Sequence, residues 1–362
     1  NLGIGSPDLA PAPAAIHALT ESARNPASHG YQNYKGIPQL RKAIADFYKR
    51  IYHVSLDSET TILPLMGSKE GILHISMAFV NDGEEVLIPD PGYPTYSSVA
   101  NLVGGKIKTY ALKEELKWGI DIEALKQADL SNVKIMWINF PHMPTGRTAS
   151  REELKALVDL ARKNNFLIVN DNPYSLILND EPMSILSIEG AEDVALELNS
   201  LSKSHNMAGW RIGWVAGKKE FIDAVLKVKS NMDSGMFLGL QHAAVEALQS
   251  SGQWFTDLNK IYTERRTAAN KILDALGCTY EKKQSGLFVW AKTPVSVPDV
   301  EKFIDEILYG TKVFITPGFI FGEAGKRYIR ISLCSPVEKL TEASDRIEKF
   351  IHTKTKLQTP KA

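Results

Sequence analysis

The sequence predicts an α/β protein, in which helices cover a β-sheet and a smaller α+β domain follows. Short runs rich in β-branched and apolar residues alternate with longer amphipathic segments, which is the pattern of a sheet flanked by helices. The chain has 362 residues, more than one hydrophobic core usually supports, so two domains are expected.

The strands of the larger domain are predicted from short apolar runs that end in polar or turn residues. They are 85–89, 134–139, 166–170, 195–198 and 214–216. Ser150 is a candidate N-cap for a helix that extends to about Asn164, because Glu152 and Glu153 occupy the first turn. After about Trp254 the pattern changes. The smaller domain is predicted from four elements, which are a long charged helix (261–276), a strand (286–290), a second helix (300–308) and a second strand (328–332).

Composition favours a small-molecule partner. The chain carries 42 basic and 42 acidic residues, so it has no charge footprint for nucleic acid or an anionic membrane. No apolar run reaches the roughly 20 residues that cross a bilayer. Cys278 and Cys334 lie far from any second ligand at metal-binding spacing, so buried thiols are expected, without a disulfide or a metal. The chain starts at Asn1 rather than Met, which leaves a targeting peptide open, and a cytoplasmic location is the default expectation.

The segment 200–211 has the most informative chemistry. It places Lys203 beside the hydroxyls of Ser200 and Ser202, with Arg211 eight positions later. A lysine amine bonds covalently to an aldehyde, while hydroxyls and a guanidinium hold a dianionic phosphate. Pyridoxal 5'-phosphate (PLP) is the biological molecule that combines these groups. A lysine near serines also arises by chance in surface loops, so the other motifs must decide.

A second candidate anion site precedes an apolar helical run. Gly67, Ser68 and Lys69 follow the apolar residues 63–65, so the amides of Ser68 and Lys69 are predicted to lie at a helix N-terminus. The helix dipole and the free amides favour an anion there. An ordinary helix cap is the alternative interpretation.

Aromatic and acidic residues follow two of the predicted strands. Two prolines stiffen the loop 90–96, in which Tyr93 can stack on a flat ring. Asp171 and Tyr174 follow the strand 166–170. A carboxylate beside a pyridine nitrogen keeps it protonated, and a phenol can hydrogen-bond the ring oxygen. The alternatives are a tyrosine packed over a turn and an aspartate that caps a helix.

The run 200–211 resembles the S-x-S-K-x7-R signature of class I and II aminotransferases of PLP fold type I, and the other motifs occur in that family's order. The resemblance implies a large PLP-binding domain (15–255) with a mostly parallel seven-stranded sheet flanked by helices. It also implies a small α+β domain from both chain ends (1–14 and 256–362). The implied activity moves the amino group of an L-amino acid to a 2-oxo acid.

The family's roles carry over to matching positions of this chain. Lys203 would hold PLP and act as general base and acid, Asp171 would pair with the pyridine nitrogen, and Tyr174 with the ring oxygen. Further cofactor-binding positions implied by the resemblance are Gly67, Ser68, Lys69, Tyr93, Ser200, Ser202 and Arg211.

Two further matches concern substrate and partner subunit. Strand alternation puts Tyr328 and Arg330 on one face, and Arg330 matches the arginine that binds the substrate α-carboxylate; a surface salt bridge is the alternative. The glycine of a G-x-P-D-like turn, Gly5, would face the same carboxylate. Tyr31, with Tyr34 as second candidate, matches a tyrosine that reaches the neighbouring phosphate across a homodimer interface.

One position departs from the family pattern. In the run 139–146, Met143 stands where the family has an asparagine that donates a hydrogen bond to the ring oxygen. A thioether cannot donate. Either Tyr174 makes this interaction alone, or His142 or a water substitutes.

Met143 also keeps a rival reaction open, a PLP-dependent β-elimination C–S lyase on the same fold. A PLP-sensing transcription regulator would need a basic winged-helix segment, which the 362 residues do not contain. A non-catalytic binding protein is disfavoured because both Lys203 and Arg330 are present. The run 229–237, followed by Gln241, resembles the LL-diaminopimelate aminotransferase branch of the family.

Overall fold

The computed structural model describes the backbone of residues 1–358 and the side chains of residues 1–354. Its larger sheet has eight strands in the order β1-β8-β7-β6-β5-β2-β3-β4. In chain order they are β1 Ile62–Leu65, β2 Glu85–Asp90, β3 Lys106–Lys113, β4 Gly119–Ile120, β5 Val133–Ile138, β6 Leu167–Asp171, β7 Ala195–Ser200 and β8 Gly213–Gly217.

The predicted sheet is confirmed, with one small addition. Strands β3, β2, β5, β6 and β7 are parallel neighbours, and β8 runs antiparallel to both β7 and β1. These make up the seven expected strands. The eighth, β4, is a two-residue strand that pairs antiparallel with the end of β3. All five strands predicted from apolar runs form, with ends displaced by at most two residues.

Eleven α-helices surround the sheets within the described residues. They are α1 Pro13–Arg24, α2 Pro38–Tyr52, α3 Ser68–Phe79, α4 Pro94–Leu102, α5 Ile122–Gln127, α6 Arg151–Asn164, α7 Lys219–Lys229, α8 Leu238–Leu248, α9 Gly252–Ala275, α10 Val300–Thr311 and α11 Val337–Gln358. The predicted cap of α6 is confirmed, since the Ser150 hydroxyl accepts a hydrogen bond from the Glu153 amide at 3.2 Å. Helix α9 begins at Gly252 rather than near 261, because its first turns bury Leu258 in the core.

Alternation along the central strands builds a core on each face of the large sheet. On β5, Ile135 and Trp137 join the cluster on one face, while Met136 and Ile138 join the other. All four side chains are fully buried. With both faces apolar, polar residues concentrate where the strands end, which is where α/β sheets bind ligands.

A smaller antiparallel sheet lies beside the large one. It contains β9 Phe288–Lys292, β10 Thr316–Pro317 and β11 Tyr328–Ser332 in the order β10-β11-β9. The chain's first residues join it, because the Leu2 amide donates to the Phe314 carbonyl at 2.9 Å and the Leu2 carbonyl accepts from the Ser332 amide at 2.8 Å. These bonds support the division into 1–14 with 256–362 and 15–255, which we retain as a proposal. Helix α9 crosses its second boundary.

The structure also bears on the expectations about membrane-spanning segments and cysteines. Among residues 1–358, no helix has both the length and the apolarity needed to cross a membrane. Cys278 and Cys334 are both buried and neither forms a disulfide.

Candidate active site

A cleft of about 500 Å³ opens where the large sheet meets the small one. The carboxyl ends of β6 and β7 contribute Asp171 and Ser200, and the small sheet contributes Phe288 and Arg330. The predicted site residues that line the cleft are Gly5, Ser68, Lys69, Tyr93, Asp171, Tyr174, Ser200, Ser202, Lys203, Arg211 and Arg330. Residues dispersed over the whole chain therefore meet in one place.

One end of the cleft collects hydroxyls and a guanidinium. The Ser200 hydroxyl donates to the Ser202 hydroxyl at 2.8 Å and accepts from the Ser202 amide at 3.0 Å. Arg211 Nη1 lies 3.5 Å from the Ser202 hydroxyl and donates to the Ala208 carbonyl at 2.9 Å. Helix α3 begins beside them at Ser68. This end therefore offers donors suited to a dianion.

Gly67 does not line the cleft, but it makes room for the arginine. Its φ of +92° lies in the region that favours glycine. A Cβ built on Gly67 would lie 2.2 Å from Arg211 Nη2. The position next to the start of α3 must therefore be glycine for the guanidinium to sit there.

Lys203 lies in the loop that follows β7, at the centre of the cleft. Its ammonium donates to the Gly5 carbonyl at 2.5 Å. Burial lowers the pKa of Lys203, and Arg211 and Arg330 lower it further, although Cys334 and Asp171 act in the opposite direction. The amine is therefore more easily deprotonated than an exposed lysine, as a nucleophile or a general base requires.

Asp171 ends β6 deep in the cleft. The Tyr96 hydroxyl donates to its Oδ2 at 3.0 Å, whereas its buried Oδ1 has no hydrogen-bond partner among the described residues. Burial raises the pKa of Asp171 to about 6, although the Tyr96 hydrogen bond and the Lys203 charge both oppose the rise. At neutral pH the group is mostly ionised, and one oxygen remains available to a cationic N–H.

The aromatic residues of the loop 90–96 take different positions. Tyr93 precedes α4 and lines the cleft, edge-on to Tyr96 with ring centroids 5.6 Å apart. Tyr96 is buried, stacks on Trp137 at 5.1 Å and supports Asp171. Our sequence analysis did not select Tyr96 as a site residue. The available signal was its position three residues after Tyr93, within the first turn of the helix that begins at Pro94.

Other lining residues also escaped the sequence analysis, mainly because their types carry no chemical signal. They are Ile72, Asn139, Pro173, Ala208 and Phe288. Phe288 packs edge-on against Tyr174 with centroids 6.0 Å apart. Burial raises the pKa of Tyr174, so its phenol remains protonated and able to donate.

Arg330 is buried on β11 and faces the cleft. Its Nη2 donates to the Gly3 carbonyl at 2.7 Å, and its guanidinium carbon lies 3.9 Å from the Phe288 ring centroid. No described carboxylate lies within 4.0 Å of it, so the alternative of a surface salt bridge is wrong. Burial lowers the pKa of Arg330 to about 10. A buried guanidinium without a counter-ion has unused N–H donors of the kind that a carboxylate accepts from.

Sequence comparison with known proteins identifies the family of this chain. The family model described as "Aminotransferase class I and II" matches residues 1–347. The chain belongs to this aminotransferase family. It is 40% identical to the LL-diaminopimelate aminotransferase of Aquifex aeolicus over 350 residues, covering 96% of this chain and 90% of that protein.

Solved structures with the same fold include an aminotransferase. Apo-BacF from Bacillus subtilis superposes with a TM-score of 0.93 at 36% identity, covering 97% of this chain and 94% of that one. An aromatic aminotransferase from Pyrococcus horikoshii gives a TM-score of 0.92 at 29% identity, covering 98% and 96%. The predicted aminotransferase function is confirmed, and a C–S lyase has no support among these relatives.

Met143, for which the sequence resemblance implies an asparagine in the family, lines the cleft of this aminotransferase. Its sulfur accepts a hydrogen bond from Arg330 Nη1 at 3.2 Å. His142, expected as a possible substitute, is not among the described lining residues; its Nδ1 pairs with the Thr145 hydroxyl at 2.8 Å. Asn139 donates through Nδ2 to the Asp171 carbonyl and accepts through Oδ1 from the Met143 amide, so both ends of its side-chain amide take part in hydrogen bonds.

A cluster of potential metal ligands lies between α3 and the segment that follows α7, outside the cleft. Glu70, His74 and Asp233 have ligand atoms within 4.8 Å of one another. Both Asp233 oxygens, however, bind the buried Lys229 ammonium at 2.7 and 2.8 Å, and Glu70 pairs with His74 at 2.9 Å. An ammonium at this position occupies the carboxylate and repels a cation, so the cluster is an ion-pair network.

Asp171→Asn should change the pH dependence of stability in the cofactor-free protein. The pKa of Asp171 rises from 3.8 to about 6 on folding. The stability associated with the protonated group is therefore fully present below pH 3.8 and is lost as the pH rises through about 6. This contribution amounts to about 3 kcal/mol, so the loss of stability between pH 4 and 8 should be smaller by about that much in Asp171→Asn than in wild type, as measured by denaturant unfolding.

Tyr96→Phe is the matched variant for this measurement. It removes a hydrogen bond that lowers the pKa of Asp171, so the loss of stability should move to higher pH. Parallel pH profiles for wild type and both variants would show that Asp171 does not titrate as described.

Proposed function

We propose that this aminotransferase holds PLP on Lys203 and transfers an amino group between LL-diaminopimelate and a 2-oxo acid. The amino donor is suggested by the Aquifex aeolicus relative at 40% identity, since that alignment covers 96% of this chain. The run 229–237 supports the same branch of the family. The single observation that carries the reaction type is the unpaired, buried Arg330 in the same cleft as Lys203.

The cleft contains side chains suited to the phosphate, the ring nitrogen and the flat ring of PLP. Bound PLP supplies an electron sink that stabilises negative charge at the substrate Cα. Ser200, Ser202 and Arg211 provide donors for a phosphate. The free Oδ1 of Asp171 can accept from a protonated ring nitrogen, and Tyr93 offers an aromatic wall.

Each side chain of the cleft has a role that follows from its position. Arg330 binds the α-carboxylate with two parallel hydrogen bonds, which orients the substrate Cα. The Lys203 amine, once free of the cofactor, would remove the proton from Cα and return one as a general acid, which its lowered pKa favours. Phe288 of the small sheet packs edge-on against Tyr174 of the large domain, and this aromatic pair would limit the access of water to the reacting atoms.

Purified protein should transaminate LL-diaminopimelate with 2-oxoglutarate faster than aromatic or branched-chain donors. Arg330→Ala should raise KM for donor and acceptor alike by about ten- to a hundredfold, because both substrates lose charge-assisted hydrogen bonds. Initial rates by chromatographic glutamate detection measure this. Arg24→Ala, an exposed arginine on α1, is the control and should behave like wild type. Preferred turnover of an aromatic donor would refute the substrate assignment.

Lys203 should be the residue that bonds PLP. Borohydride treatment of the yellow protein, followed by peptide mapping, should place the reduced cofactor on Lys203. Lys69→Ala is the control because Lys69 also lines the cleft, and it should retain the label. Label recovered on Lys69 would overturn the assignment.

We further propose a homodimer in which Tyr31 completes the partner's site. Tyr31 is 93% exposed and lies outside the cleft, which fits a side chain that a partner covers. Its segment is well anchored, because the buried Gln241 accepts from the Ile37 amide at 2.7 Å and donates to the Met236 carbonyl at 2.7 Å. The Gly235 backbone packs directly on Gln32. A rigid base of this kind can present an exposed tyrosine to a second subunit.

Hybrid dimers should test the shared site. Tyr31→Phe and Lys203→Ala subunits, each weak alone, should regain activity when mixed, because one site in the hybrid then has both native residues. Turnover per mixed dimer, after separation by affinity tags, should reach about half that of wild type. A sedimentation result showing an active monomer, or no gain on mixing, would contradict the proposal.

We also propose a cytoplasmic location for this dimer. The buried, unpaired thiols of Cys278 and Cys334 fit a reducing compartment, where disulfides are rare. The balanced charge of the chain supports small substrates as its partners.

A further inference from the structure

We propose that Met143 sets how tightly Arg330 holds a substrate carboxylate. Its thioether gives the guanidinium a weak, neutral partner that the carboxylate displaces. The inference rests on the carboxylate-binding role proposed for Arg330. It concerns a residue for which the family pattern provides no role, because the family has asparagine at this position.

The contacts of Arg330 define which donors are available. Nη2 donates to the Gly3 carbonyl at 2.7 Å, and Nη1 donates to the Met143 sulfur at 3.2 Å. Nε is buried and has no partner among the described residues. The rings of Phe288 and Phe321 lie 3.9 and 4.6 Å from the guanidinium carbon, so they hold its plane.

A carboxylate needs two neighbouring N–H groups of this fork. The backbone carbonyl of Gly3 is a good acceptor, but a thioether sulfur is a weak one. A carboxylate oxygen makes a charge-assisted bond about twice as strong as a neutral one. Nη1 is therefore the donor whose present partner is most easily replaced, and Met143 keeps that N–H directed into the cleft until a carboxylate arrives.

The backbone keeps Met143 in place independently of its side chain. Its amide donates to Asn139 Oδ1 at 2.8 Å, and Asn139 also bonds the Asp171 carbonyl. A substitution at 143 therefore changes the group that faces Arg330 while these bonds remain. A stronger acceptor of similar length would compete with the substrate, whereas an apolar side chain of similar volume would not.

Met143→Leu and Met143→Gln test this with butanoate, a carboxylate that has no amino group to react. Calorimetric titration of the cofactor-loaded protein should give a dissociation constant for Met143→Leu that is equal to wild type or up to about threefold tighter. Met143→Gln should bind butanoate about three- to tenfold more weakly, because its amide oxygen occupies Nη1. KM for donor and acceptor should change in the same order, and by more than kcat does.

Met136→Leu is the matched control, since Met136 is a fully buried methionine on β5 that does not line the cleft. It should leave butanoate binding unchanged. Weakening of more than threefold in Met143→Leu, or unweakened binding in Met143→Gln, would overturn the inference. Failure of the underlying function would look different, because butanoate binding to wild type would then be insensitive to Arg330→Ala.

Discussion

The constraint on which the site depends is the cost of burying charge beside an apolar core. Lys203, Asp171 and Arg330 lie within one cleft. Burial lowers the pKa of Lys203 and of Arg330 and raises the pKa of Asp171, so it favours the neutral form of each group. In the described chain, neither Arg330 nor Asp171 Oδ1 has an ionic partner there. These unsatisfied groups support the proposal that the cleft binds a carboxylate and a cationic ring, because such ligands would supply the partners that the buried groups lack.

The first residues of the chain connect the two domains across this cleft. The Gly3 carbonyl accepts from Arg330 of the small sheet, and the Gly5 carbonyl accepts from Lys203 of the large domain. The Ile4 carbonyl accepts from the Ser332 hydroxyl at 2.7 Å. One extended segment therefore offers a backbone oxygen to each of the two cations. A Cβ at position 3 would lie 2.6 Å from Thr316 Oγ1 and one at position 5 would lie 2.4 Å from Phe288, so glycine is required for the segment to pack this closely.

Much of the fold and site could be predicted because their signals are local. Apolar runs with polar ends located the strands of the large sheet, and the residues directly after those ends, such as Asp171 and Lys203, proved to line the cleft. The length of α9 could not be predicted from charge, because its first turns are stabilised by burial of Leu258 in a core formed by distant segments.

The sequence by itself determined the reactive groups, since a lysine, a carboxylate and a guanidinium have their chemistry wherever they lie. Their order and spacing also determined the family. Only the tertiary structure decided how these groups behave. The Tyr96 bond to Asp171 joins residues 75 positions apart, and the Met143 bond to Arg330 joins residues 187 apart. Such contacts, and the desolvation that accompanies them, arise only when distant segments pack together, so no local pattern contains them.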